Sequence, residues 1–172
     1  MRKGTRRIPL TQGKYAIVDA VDYDYLNQWS WQVIRHPIKN SPDLCYARRT
    51  QRIGKRKYNK KRMFRMHQEV ARRMGLPQDR KYDHRDHDGL NNCRSNIRLC
   101  TLRQNQWNRR KEKDLTSRYK GVCWEKQTNK WRATIIYNGK QITLGRFISE
   151  YQAHLAYCEA AKLLFGEFAC AG

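Results

Sequence analysis

An α+β fold is what this 172-residue sequence predicts, with antiparallel strands throughout and few helices. Three observations carry that reading. Hydrophobic residues make up 39% of the chain, enough for a modest core built from short elements. Asn138-Gly139 stands between "WRATIIY" and "KQITLGRF", a strong hairpin signal. The run "EYQAHLAYCEAAKLLFG" then carries apolar residues at helical spacing, so one helix backs that sheet.

Taken in order, "KYAIVD" reads as a strand, Asp22 as the cap of a short helix over "YDYLNQW", and "SWQVIR" as the next strand. "HPIKNSPD" is a loop and "LCYARRT" a strand. Residues 51–62, "QRIGKRKYNKKR", form a basic turn. "MFRMHQEVARRMG" passes from strand to helix and stops at Gly75 and Pro77, with His67 as a packed or capping residue at the helix start. "KYDHRDHDG" is a strand opening into a turn-rich loop. "NIRLCT" returns as a strand with Ile97, Leu99 and Thr101 on one face, and "LRQNQWNRRKEK" is a polar helix anchored by Trp107. These elements make a first domain of residues 1–112, with 113–117 as linker. In the second domain, 118–172, strands fall near 119–125, 130–137 and 140–147. Ser149 and Gln152 make a capping box. The helix packs through Ala153, Ala156, Tyr157, Ala160, Leu163 and Leu164 and ends at Gly166.

Charge narrows the function. The chain has 37 Lys and Arg against 15 Asp and Glu, a net charge of +22, which calls for a polyanionic partner. Residues 51–82 alone hold twelve basic and two acidic side chains, yet every region is positive, which makes a basic tail on an ordinary fold the weaker reading. No apolar run reaches membrane-span length, no basic amphipathic helix stands out, and the N-terminus lacks the apolar core of a signal peptide. A membrane partner is therefore not expected, and the expected location is intracellular. The six cysteines form no C-x-x-C pair and read as reduced thiols, with a site of Cys93, Cys100 and a histidine as the lesser alternative.

Against this basic background, residues 82–101, "YDHRDHDGLNNCRSNIRLCT", crowd together Asp83, Asp86, Asp88, His84 and His87, then Asn91, Asn92 and Asn96. Phosphodiester hydrolysis needs an activated water, a stabilised phosphorane and a stabilised leaving oxygen. A histidine can supply the first, and a hard cation on carboxylate and amide oxygens the other two. Strand neighbours point to opposite sides, so a twist or bulge is needed for Asp83 and His84 to reach one phosphate. Turn chemistry explains Asp86, Asp88 and Gly89 but not the Asp83-His84 pair or the asparagines.

The stretch "YDHRDHDGLNNCRSNIRLCTLRQNQWNRR" resembles the HNH nucleases, above all phage and intron-encoded homing endonucleases with "DH.DG…NN…NLR…T…N". The resemblance implies a ββα-metal fold with His84 as general base and Asp83 as metal ligand. It further implies that Asn96 pins the loop and orients the histidine, that Asn92 braces the loop, and that Asn105 is the second ligand, with Asn108 as its competitor. The implied ion is Mg²⁺, or Mn²⁺. His87 stands where the family loop carries glycine, as a loop or phosphate-facing side chain.

Residues 117–168 resemble the AP2 type of plant DNA-binding domain, through "YKGVCWEKQTNKWRATI", "GKQITLGRF" and the helix that follows. That likeness implies a three-stranded sheet in the major groove of double-stranded DNA. Alternation along the strands turns Val122, Trp124, Ala133, Ile135, Ile142 and Leu144 inward. It turns Cys123, Glu125, Arg132, Thr134, Gln141 and Thr143 outward. Trp131, like Trp124, reads as core. Expected DNA contacts are Arg52, Lys55, Arg56, Lys57, Lys60, Lys61 and Arg62 of the basic turn, and Lys120, Arg132, Thr134, Thr143 and Arg146 of the sheet. Plant members carry arginines where this chain has Cys123 and Glu125, so their target sequence does not transfer.

The combined expectation is a Mg²⁺-dependent HNH DNA endonuclease of mobile-element or phage type, in the cytoplasm of a bacterial or phage-host cell. A monomer would nick and a homodimer could cut both strands. The rival reading is a non-catalytic, sequence-specific DNA-binding regulator; a nuclease directed at RNA is a second rival that the C-terminal module disfavours.

Overall fold

The computed structural model describes residues 4–35, 44–53, 60–109 and 116–170. The architecture is mixed α+β, with antiparallel sheets and short helices, and the chain folds as two compact units, residues 1–101 and 102–172. The loop expected over 36–43, the middle of the basic turn (54–59, with Lys55, Arg56 and Lys57) and most of the expected linker lie outside the described residues.

The first unit opens with a hairpin of β1 (Thr5–Pro9) and β2 (Tyr15–Asp19), followed by α1 (Ala20–Asn27). Strands β3 (Gln32–Arg35), β4 (Cys45–Arg52) and β5 (Lys61–Arg65) form an antiparallel sheet in that order, and α2 (Met66–Arg73) continues from β5. A second hairpin, β6 (Lys81–His84) with β7 (Ile97–Cys100), closes the unit. Ile8, Val18, Leu26, Trp31, Val33, Met66, Val70 and Ile97 share one buried cluster. Each aliphatic side chain buried there contributes about 1.5–3 kcal/mol.

Two expectations change here. Asp22 is not the cap of α1, whose N-cap is Asp19; it lies in the first turn, fully buried. It accepts hydrogen bonds from Arg73 Nε (2.6 Å), Arg94 Nε (2.7 Å) and Arg94 Nη2 (2.8 Å), tying α1 to α2 and to the loop before β7. On β7, Ile97 is buried but Leu99 is exposed, and Arg98 and Cys100, on the other face of the strand, are buried instead.

The second unit begins with α3 (Leu102–Trp107). Strands β8 (Val122–Glu125), β9 (Lys130–Tyr137) and β10 (Lys140–Phe147) form an antiparallel sheet in the order β10-β9-β8, covered by α4 (Glu150–Phe165). Trp107 stacks on Phe165, ring centroids 4.6 Å apart, and so anchors α3 within this unit. The buried stripe of α4 is Ala153, Tyr157, Ala161 and Phe165; Leu163 is exposed, since Phe165 takes the seat beside Trp107. Ser149 is the N-cap of α4 but makes no side-chain capping bond, so the expected capping box does not form. Glu150 instead accepts from Ser117 Oγ at 2.7 Å and Arg118 N at 3.0 Å. Gly121, at φ +71°, brings the chain against the Tyr157 ring and Thr134 O, where a Cβ would clash. Among the described residues no helix is long and apolar enough to cross a membrane.

Candidate active site and nucleic-acid interface

The loop between β6 and β7 is fastened at several points. Ile17 of β2 donates its N–H to Leu90 O (2.9 Å) and accepts from Asn92 N (2.7 Å). Arg94 N donates to Asp19 Oδ2 at 2.7 Å. Asn96 Nδ2 donates to Asp86 Oδ1 (2.9 Å) and Asn91 O (2.7 Å), while its Oδ1 accepts from Asp86 N (3.1 Å). Asn96 thus stitches both ends of the loop together. Asp86 and Asp88 accept from backbone N–H groups two residues on, as Asx turns do. Burial works to raise the Asp86 carboxyl, but hydrogen bonds from Asp88 N–H, Asn91 and Asn96 outweigh it and hold it below the ordinary range. His87 occupies the left-handed region at φ +64°, which costs a non-glycine residue about 1–2 kcal/mol.

Gly89 passes so close to β4 that a Cβ would lie 2.3 Å from Cys45 O and 2.6 Å from the Tyr46 ring. Tyr46 in turn packs near His84, centroids 5.8 Å apart, and His67 of α2 meets His84 edge-on at 5.1 Å. His67 is therefore a packed residue, and the N-cap of α2 is Arg65.

His84 ends β6 and is buried. Its Nε2 lies 3.4 Å from Asn92 Oδ1. Asn92, fully buried, donates Nδ2 to Leu90 O at 3.1 Å, which orients its amide with Oδ1 toward the imidazole. An oxygen there calls for the proton on Nε2, leaving the lone pair on Nδ1. Burial pulls the His84 pKa below the ordinary imidazole value, opposed by the Asn92 hydrogen bond and by Asp86, Asp83 and Asp88. Burial thus favours the neutral ring.

Asp83 lies opposite Arg98 in the β6–β7 register, which is regular through His84, so no bulge turns the pair to one side. Arg98 donates to Asp83 Oδ2 from Nε (3.2 Å) and Nη2 (3.0 Å), and both side chains are largely buried. As neighbours on a regular strand, Asp83 and His84 point to opposite sides, and it is His84 that meets Asn92 of the loop that Asn96 pins. Asn105 is exposed on α3, and Asn108 is buried, both in the second unit. Among the described residues no three His, Cys, Asp or Glu side chains cluster to hold a metal ion, and Cys93 and Cys100 are buried free thiols.

The basic turn is described at its base. Arg52 ends β4 opposite Lys61, with Lys60 and Arg62 beside it, and all four are exposed. In the second unit, Val122, Ala133 and Ile135 face α4 and are buried. Trp131 packs against that core, but Trp124 remains 36% exposed and Ile142 41%, because these inward positions lie toward the sheet's margins. On the opposite face, Cys123, Arg132 and Arg146 form one cross-strand row, with Thr134 and Thr143 paired beside it. Lys120 is not placed for a phosphate: its Nζ donates to Trp107 O and Arg109 O, each at 2.7 Å.

Comparison with known proteins accounts for this sheet and helix. Residues 117–167 form an AP2 domain. The chain is 39% identical over 94 residues to an uncharacterized HNH endonuclease of Acanthamoeba polyphaga mimivirus, covering 55% of this chain and 48% of that protein. It is 38% identical over 66 residues to Protein 3.8 of Escherichia phage T7, covering 38% of this chain and 54% of the phage protein. The chain spans about half the length of these relatives. No solved structure matches significantly. The 94-residue match is longer than the AP2 domain, so the mimivirus likeness extends beyond it. An HNH-like segment followed by an AP2 domain is the combination this chain carries.

One functional candidate escapes a reading of the sequence: Arg98, the arginine of the "NIR" triplet, which lies directly across the ladder from Asp83. Glu125, expected on the outward face, also accepts from both Arg132 and Arg146, which the sequence does not announce.

Proposed function

We propose that this chain is a metal-dependent HNH DNA endonuclease whose AP2 domain positions the duplex. The observation that carries the reading is the buried His84, held by Asn92 at the mouth of a loop that Asn96 and Ile17 pin. The AP2 domain and the net charge of +22 support double-stranded DNA as the partner.

His84 takes the proton of the attacking water on Nδ1, and Asn92 keeps the ring in the tautomer that allows it. Asp83 offers a carboxylate oxygen, a hard donor suited to Mg²⁺ or Mn²⁺. When bound, such a cation supplies charge stabilisation for the phosphorane and the leaving oxygen. Arg98, hydrogen-bonded to Oδ2, sets the direction in which Asp83 presents itself. The products are a 5′-phosphate and a 3′-hydroxyl. One active site cuts one strand, so a monomer nicks and a homodimer cuts both.

The test is plasmid cleavage with Mg²⁺ or Mn²⁺, with and without EDTA. Wild type converts supercoiled DNA in a metal-dependent way, and His84→Ala loses about 10²–10⁴-fold in rate while still binding. DNA that is bound but left intact by the wild type across a library of sites would instead identify a non-catalytic regulator.

A further inference from the structure

We propose that Glu125 is a specificity-determining residue of the AP2 sheet, holding Arg132 and Arg146 as a fixed pair that reads base edges. The inference rests on the reading of that sheet as the DNA-binding face.

Glu125 is the one acidic side chain on the three strands, in a chain whose net charge is +22. It sits on the face away from α4, at the end of β8. Arg146 donates to it from Nε at 2.5 Å and from Nη2 at 3.2 Å, and Arg132 donates from Nη1 at 3.2 Å. Thr128, in the turn between β8 and β9, donates its hydroxyl at 2.7 Å. The carboxylate is thus built into the sheet from three directions. These hydrogen bonds, Arg146's foremost, hold its pKa down to about 2, so it is charged at any pH where DNA is duplex.

A carboxylate on a phosphate-binding surface weakens non-specific attraction, so its retention needs a different explanation. An arginine has five N–H donors; Arg132 Nη2 also lies 3.8 Å from Cys123 Sγ and its Nε is buried, so it is the outer N–H groups of the two guanidiniums that remain for a guanine edge. Tethered arginines lose less rotamer freedom on binding than free ones. They are also held back from phosphates, which reserves them for bases. Glu125 itself can accept from a cytosine amine next to the guanine that an arginine reads. Arg132 and Arg146 stand opposite one another across β9 and β10, so their reach is one local stretch of the groove.

The experiment is selection of duplexes from a randomised pool by the full chain, comparing wild type, Glu125→Gln and a charge-matched control, Glu159→Gln, on exposed α4 surface. Wild type and Glu159→Gln should enrich the same site. Glu125→Gln should lose preference at one or two adjacent positions, with discrimination falling about tenfold. Its affinity for random duplex should hold or rise, with a steeper salt dependence. Should Glu125→Gln lower the melting temperature, Glu125→Asp, too short to hold both arginines, is scored instead. Selection of the same site with undiminished discrimination overturns the role of Glu125 alone. Failure of the wild type to enrich any site overturns the reading of the sheet as well.

Discussion

Arg98 donates two hydrogen bonds to Oδ2 of Asp83, directly across the β6–β7 ladder. Both side chains are largely buried, so removing one takes away the other's partner across the ladder in a place where water cannot replace it. Arg98→Leu should therefore destabilise the first unit by about 3–5 kcal/mol. Urea unfolding followed by tryptophan fluorescence reads this. An unchanged midpoint would show that Asp83 does not depend on Arg98, and the orienting role given to it would go too.

Asp22 should show the same cost by a different route. Burial alone would raise its carboxyl, but hydrogen bonds from Arg94 and Arg73 outweigh that and pull its pKa below the ordinary value of 3.8. A carboxylate with a depressed folded pKa contributes stability that is present above the unfolded value and lost as pH falls through the folded one. Asp22→Asn should thus cost about 3–5 kcal/mol at neutral pH. The gap to wild type should narrow below about pH 4. A gap that stays constant into acid would mean that the pair is not coupled to the carboxylate's charge.

His67 gives a pH window well separated from that one. Burial, with His84 and Arg65 nearby, lowers its pKa to about 3, whereas the unfolded chain protonates it near 6.5. Between these values unfolding takes up a proton, so stability falls as pH drops, by about 1.4 kcal/mol per pH unit for one proton. His84, also lowered by burial, acts in the same direction. His67→Phe keeps an aromatic ring against Tyr46 and His84 and removes one of the two titrations. Unfolding free energies at pH 7, 6 and 5 should then decline less steeply than in wild type. Parallel slopes would contradict the buried, neutral state of His67.

Much of this arrangement was legible because it rests on local signals. The Asn138-Gly139 turn set the β9–β10 hairpin, and Asn138 and Gly139 both have positive φ. Strands β2 to β4 and the β6–β7 hairpin follow apolar runs bounded by turn residues. What escaped depends on tertiary position. β1 buries little beyond Ile8 amid arginines, so no alternation marks it. Arg98 and Leu99 exchange their expected environments because the face of β7 that carries Arg98 and Cys100 is the buried one past Ile97. Asp22 reads locally as a cap, while its partners are 51 and 72 residues away. The Asp83-His84-Asn96 pattern was readable as chemistry, but nothing local announced that Ile17 would hold the loop or that Asn92 would select a tautomer.

Gly89 and Gly75 separate two ways in which a glycine can matter. A Cβ at Gly89 would meet the Cys45 carbonyl at 2.3 Å and the Tyr46 ring at 2.6 and 2.7 Å. Backbone cannot yield as a flexible side chain can, so Gly89→Ala must push the loop away from β4. Overpacking of this kind costs about 1–3 kcal/mol. Because Tyr46 also packs near His84, the displacement should reach the proposed base, and the proposed cleavage should fall by more than the loss of folded protein explains. Gly75 has open space around it but sits at φ +74° after α2. Gly75→Ala should cost about 1–2 kcal/mol through backbone strain alone. Its cleavage rate per folded molecule should match wild type. Melting temperatures and plasmid cleavage for both variants decide the matter: equal activity per folded molecule in Gly89→Ala would show that the closeness of loop and β4 serves stability and not the geometry of His84.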